Sequence, residues 1–164
     1  DKRAQAYSLQ RAAAIAAEGE NHEDAVAAAY EALALARGCG DARAEVEMLM
    51  LVSQANLGQL AQAVEQAEKD ERRVKALLRK GEGKVLRPAR ECVALALLHG
   101  DDYLTGGAHY ALAQAYLYVG FTDSGITSAR EARQLWEGVS NPGGGAYATL
   151  LVAEGLWLQG DGQA

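Results

Sequence analysis

Apolar and small side chains recur along this chain at three- and four-residue intervals. The clearest run is His109 to Glu137, HYALAQAYLYVGFTDSGITSAREARQLWE. Leu112, Ala113 and Tyr116 precede Gly120 there, and Gly125, Ile126, Ala129, Ala132 and Leu135 follow it. Such spacing gives each of two helices a single packing stripe, with a glycine turn between them. Small residues within the stripes let the helices approach closely, while Leu112, Tyr116 and Ile126 fill the spaces between. Around Gly58 the pattern returns in LVSQANLGQLAQAVEQAEKD, with Ala63, Val64 and Ala67. Around Gly19 it returns with Ala25, Val26, Ala29 and Ala32.

Glycines punctuate the chain at Gly19, Gly38–Gly40, Gly58, Gly81–Gly83, Gly100, Gly120, Gly138–Gly145 and Gly160. Each interval suits a helix of roughly 16 residues and a short turn. The spacing predicts eight helices, over 3–18, 22–37, 42–57, 60–80, 87–99, 103–119, 122–137 and 145–159. Asn21, Asp41 and Thr122 or Asp123 stand where helix-starting residues are expected, and Pro88 suits the first turn of the fifth helix. Short turns make neighbours antiparallel. Repetition every two helices, 39 residues from Gly19 to Gly58 and 40 from Gly120 to Gly160, predicts an all-α solenoid. Three helices then lie between the Gly58 and Gly120 turns where alternation needs two or four. A phase slip or an extra fifth helix near 81–100 follows.

The stripes around Gly120, Gly58 and Gly19 resemble the tetratricopeptide repeat, with Gly125 where an alanine is usual and no closing proline at Glu137. LLVAEGLWLQGD at the end resembles the first helix of a further unit. A unit near 40 residues is more similar to the long-repeat versions in kinesin light chains and in the sensor arms of bacterial transcription regulators of the maltose-regulator type. The resemblance implies a concave groove lined by first helices. Carried across residue by residue, it implies Tyr110, Gln114, Leu117 and Tyr118 around Gly120. It likewise implies Met48, Val52 and Asn56 near Gly58, and Leu150, Glu154 and Trp157 near the end. Those positions are apolar, aromatic or amide rather than the Lys, Arg and Asn with which the family's clamp grips a terminal carboxylate. A peptide with apolar anchors suits them better.

Composition supports the helices. With 34 alanines and 21 leucines against one Phe and two prolines, the chain favours helix and lacks the β-branched alternation of a sheet. Eight of the ten aromatics follow residue 100, and aromatics are favoured anchors at binding surfaces; Tyr116 is expected to pack between helices. The net charge of −6 argues against general nucleic-acid or anionic-membrane binding. One segment departs from it. RRVKALLRKGEGKVLRPAR carries Arg72, Arg73, Lys75, Arg79, Lys80, Lys84, Arg87 and Arg90 against Glu82 alone, giving +7 beside −13 for the remainder. It is either a solvated helix face or a docking surface for acidic groups, and no aromatics are interleaved for base stacking.

The longest apolar run, Cys92 to Leu98, is far short of the roughly 20 residues a membrane span needs. Cys39 and Cys92 form neither a disulfide framework nor a zinc motif, which suits a reducing cytoplasm. His22, His99 and His109 are scattered, HGDD at 99–102 is a turn and helix start, and NPGGGAY reads as a flexible turn without the marks of a phosphate loop. No enzyme, metal or cofactor is expected. The chain begins DKRAQAYSLQ and reads as a single module over 1–164, a piece of a longer protein. The expected function is binding a protein or peptide, as the interaction or signal-receiving arm of a bacterial regulatory protein. Self-association as a homodimer through exposed helix faces is the alternative, and an RNA-binding helical repeat a weaker one.

Overall fold

A computed structural model describes residues 1–19 and 21–161, with side chains for all of these but Arg3, Ala17 and Asp161. The described residues form seven helices: α1 (Lys2–Glu18), α2 (His22–Cys39), α3 (Ala42–Gln66), α4 (Glu71–His99), α5 (Asp102–Tyr118), α6 (Thr122–Gly138) and α7 (Pro142–Asp161). Five starts are held by side chains that accept a hydrogen bond from a first-turn N–H, that of α7 by Asn141. Asn21 accepts from Asp24, Asp41 from Ala44, Asp70 from Arg72 and Arg73, and Asp101 from Leu104. Two-residue turns after α2 and α4 are possible because Gly40 and Gly100 adopt the left-handed conformation, φ 67° and 76°. Connections this short cannot recross a helix, so neighbours run antiparallel and pack as consecutive pairs.

Eight helices become seven because two glycine signals fall inside helices. Gly58 lies within α3, where it makes room for the His22 ring: a Cβ there would come within 2.7 Å of Nδ1. Gly81 lies within α4 against Leu60, at 2.6 Å from Cδ1. Close packing, not a turn, explains both. The expected helix over 60–80 is divided between the end of α3 and the start of α4, with the reversal at Ala67–Asp70. The extra fifth helix over 87–99 is the second half of α4, and Pro88 sits inside that helix rather than at a start. No phase slip remains: α1–α2, α3–α4 and α5–α6 are hairpins, and α7 follows. NPGGGAY is also helix rather than loose turn, since Asn141 Oδ1 accepts from Gly144 N at 3.1 Å and Pro142 opens α7.

Two layers result. Among the described residues α1 packs against α3, α3 against α5 and α5 against α7, whereas the backbones of α2, α4 and α6 stand apart, α2 and α4 being joined by the Arg37–Glu91 ion pair. The core between the layers is built largely of alanine: Ala25, Ala29, Ala32, Ala89, Ala96, Ala113, Ala129 and Ala132 are fully buried. Larger side chains concentrate where α3 is enclosed, at Val46, Met48, Leu49 and Val52. Glycines close the α5–α6–α7 corner, Gly125 against Leu117 and Gly155 against Ile126. With 25 and 29 residues, α3 and α4 outrun their neighbours of 17 or 18, so their hairpin overshoots the layers by roughly 10–15 Å.

Candidate functional site

The odd helices share a face, and its one recess among the described residues joins three of them. Leu57 of α3, Gln114, Leu117 and Tyr118 of α5, and Leu151 and Glu154 of α7 line a cavity of about 160 Å³. Four residues expected from the sequence, Gln114, Leu117, Tyr118 and Glu154, therefore meet. Leu117 and Leu151 form a nearly buried floor, and Tyr118 is half-buried. Burial raises the Tyr118 hydroxyl pKa, with the charge of Glu65 acting in the same direction. The recess thus offers an apolar base, an amide, a neutral phenol and a carboxylate.

Tyr110, also expected there, lies one turn before Gln114 outside the recess lining and packs against the apolar cluster that includes Leu117 and Leu151. Its ring is 5.5 Å from that of Trp136, and burial, then the nearby Tyr147 and Glu154, raise its pKa. Trp136 is an anchor that the sequence pattern did not single out. Its Nε1 donates to the Tyr103 carbonyl at 3.0 Å, and Gly106 and Gly144 lie against its ring. Leu150 and Trp157 are exposed on α7 outside the recess, and Tyr147, one turn before Leu150, is exposed too.

Met48, Val52 and Asn56 do not line this face. Met48 and Val52 are 0% exposed and Asn56 5%. Moving the turn from Gly58 to Ala67–Asp70 changes which side of α3 corresponds to the α5 face. The row that meets the other odd helices is Met50, whose Sδ lies beside Gly107, then Leu57, Val64 and Glu65. Met48 and Val52 lie on the far side of the helix, about 140–180° from Leu57, and Asn56 is turned about 100° from it. Asn56 instead donates to the Val52 carbonyl at 2.9 Å and to the Tyr30 hydroxyl at 3.3 Å. A repeat of Met50, Leu57 and Val64 at seven-residue spacing was the available signal.

Arg72, Arg73, Lys75, Arg79, Lys80, Lys84, Arg87 and Arg90 are all exposed along α4. Arg90 is engaged with α5: its Nε donates to the Tyr116 hydroxyl at 3.1 Å and its guanidinium lies 5.4 Å from that ring. Tyr116 also meets Phe121 edge-on at 6.1 Å, so it packs between elements as expected. Arg37 of α2 is the main ionic tie between layers, donating to Glu45 of α3 at 2.8 Å and to Glu91 of α4. Its pKa is raised first by the Glu45 hydrogen bond and further by Glu91, against partial burial.

Cys92 is buried, its Sγ donating to the Val46 carbonyl at 3.4 Å, and burial pushes the thiol pKa up to about 12. That excludes it as a thiolate nucleophile near neutral pH. No group of three His, Cys, Asp or Glu side chains among the described residues is placed to hold a metal. No described helix is long and apolar enough to cross a membrane. No family model matches the chain, and no curated protein matches it.

Proposed function

We propose that the chain is an α-solenoid module of the tetratricopeptide type that holds a protein or peptide segment against its odd-helix face. The observation that carries this is the recess joining α3, α5 and α7, where apolar floor, phenol, amide and carboxylate converge. A layer of closely packed helices, backed by a layer whose helices are spaced further apart, is the arrangement that bends a helical array around a bound chain. The ligand is a peptide with an apolar side chain for Leu117 and Leu151 and a hydrogen-bonding flank for Gln114 and Tyr118. On this reading the module carries no catalytic step and serves as the interaction or signal-receiving arm of a larger cytoplasmic regulator.

A photo-crosslinking side chain placed at Gln114 tests it. In source-cell lysate it should capture a defined protein that is lost in Tyr118→Ala, while the same group at exposed Gln134 of α6 should not. Equal products at both positions would sink the reading. Exposed Tyr147, Leu150 and Trp157 on α7 favour a second reading, homodimerisation through that helix. Sedimentation mass that rises with concentration and reverts in Leu150→Asp would support it over the first.

A further inference from the structure

The cations of α4 form two rows rather than one surface. At about 100° per residue, Arg73, Lys80, Lys84 and Arg87 share one side of the helix, and Arg72, Lys75, Arg79 and Arg90 share another. The second row leads toward α5, where Arg90 is occupied by Tyr116. The first faces α2 across a gap.

That gap is a trough with a floor. The backbones of α2 and α4 stand apart, bridged at one end by the Arg37–Glu91 ion pair, and α3 passes beneath both. Leu49 and Val52 of α3 lie at the base, Tyr30 and Arg37 of α2 form one wall, and Lys80, Lys84 and Arg87 form the other, around about 470 Å³. Lys80 and Lys84 also line an adjoining cavity of about 310 Å³ along the α3–α4 seam, with Asn56, Leu60 and Leu77. The Tyr30 hydroxyl accepts from Asn56 where the two cavities meet. From Leu49 to Ala63 the trough is about 21 Å long.

Its charge is uncompensated. Glu91 is the one acid among the lining residues, and Arg37 holds it at the end of the trough. Among the described residues no ion pair joins Lys80, Lys84 or Arg87, although the chain outside 72–90 carries −13. Gly83 leaves the rim open, since a Cβ there meets nothing within 4 Å, and Pro88 has no N–H to give the Lys84 carbonyl.

We propose that this trough binds an acidic peptide segment of a partner protein, with its carboxylates on the α4 row and an apolar side chain toward Tyr30 and the α3 floor. The row Lys80–Lys84–Arg87 spans about 10 Å, and carboxylates at i, i+4 and i+7 of a helical peptide have the same spacing. A nucleic-acid strand matches less well. It would leave the short trough onto an acidic chain, and Tyr30 is the one aromatic among the lining residues, too few for successive bases. The trough lies on the side of α3 that carries Val52 and Asn56, and it shares no lining residue with the odd-helix recess. The two surfaces are therefore independent.

Panning a phage-displayed library of random 12-residue peptides on the wild-type chain tests the proposal, followed by fluorescence anisotropy of the enriched peptides. Enriched sequences should carry spaced Asp or Glu with an intervening large apolar residue. Their binding should weaken as salt rises from about 50 to about 300 mM. Lys80→Glu/Lys84→Glu should weaken it by about tenfold or more, as should Gly83→Trp, which fills the trough without changing charge. Tyr118→Ala, on the other face, should leave it unchanged. Circular dichroism of each variant checks that the helices are retained. Enrichment without acidic residues, no enrichment, or equal binding to the wild type and both trough variants would overturn the proposal. Tighter binding of a 12-residue oligothymidylate, lost in the same variants, would overturn it in favour of nucleic acid.

Discussion

His109 shows how a single titratable group is set by its place in the layers. It lies on α5 with its Nδ1 buried and without a hydrogen-bond partner, and burial lowers its pKa below the ordinary 6.5, only partly offset by the charge of Glu131. A base whose folded-state pKa is depressed binds fewer protons folded than unfolded. Its stabilising contribution is complete above pH 6.5 and declines as pH falls from there toward the lowered value. The urea midpoint should therefore drop between pH 7.5 and pH 5.5 by more in the wild type than in His109→Gln. Parallel pH profiles would show that His109 is not the group responsible. In the sequence the three histidines carried no ligand spacing, and that much was legible. The burial of this one was not, because it depends on where α6 comes to rest.

At the scale of the element, the same residue type has opposite consequences at two positions. Gly155 on α7 faces Ile126, and a Cβ would come within 2.5 Å of Cγ1 and 3.2 Å of Leu117 Cδ2. Ile126 is buried and held near its backbone, so Gly155→Ala should cost about 1–3 kcal/mol of overpacking. That outweighs a helix-propensity gain of at most about 1 kcal/mol. Gly83 on α4 meets open space, and Gly83→Ala should stabilise by about 0.5–1 kcal/mol. Denaturant midpoints would check both, and a Gly155→Ala chain as stable as wild type would refute the packing argument. This is also where the sequence misled. Gly40, Gly100 and Gly120, with positive φ, end helices as expected, whereas Gly58, Gly81 and Gly144 are helical residues beside a ring or a leucine. The caps Asn21 and Asp41 were legible because a short polar side chain before an apolar stripe acts locally, whereas Thr122 and Asp123 do not cap α6, which follows Phe121 without a side-chain cap. A glycine's role depends on a neighbour far along the chain.

For the whole molecule, the long α3–α4 hairpin divides the chain into a double layer and an overshoot. Residues 71–80 of α4 include no fully buried side chain, whereas 85–96 contain Val85, Leu86, Ala89, Cys92 and Ala96. Native-state hydrogen exchange should find the amides of 71–78 less protected than those of 85–96. Equal protection would mean that the overshoot opens only with the core. The all-helical class and the pairing of neighbours could be foreseen from Ala and Leu at helical spacing. The side of α3 that meets α5 could not, since displacing one turn by nine residues inverts the face. Of the odd-helix recess, Gln114, Leu117 and Tyr118 of α5 and Glu154 of α7 were foreseen, whereas Leu151 of α7 and Leu57 of α3 were not.

The alanine interior has a consequence for how such a chain can change. Side chains such as Ala25, Ala29, Ala89, Ala113 and Ala132 have almost nothing left to remove. The familiar injury to a protein interior, loss of atoms and an empty space behind, is therefore rare along these seams. Nearly every replacement there adds bulk and forces two helices apart. Drift in this molecule is constrained from above in size, with the seams frozen at their smallest and variation directed outward to the exposed helix faces.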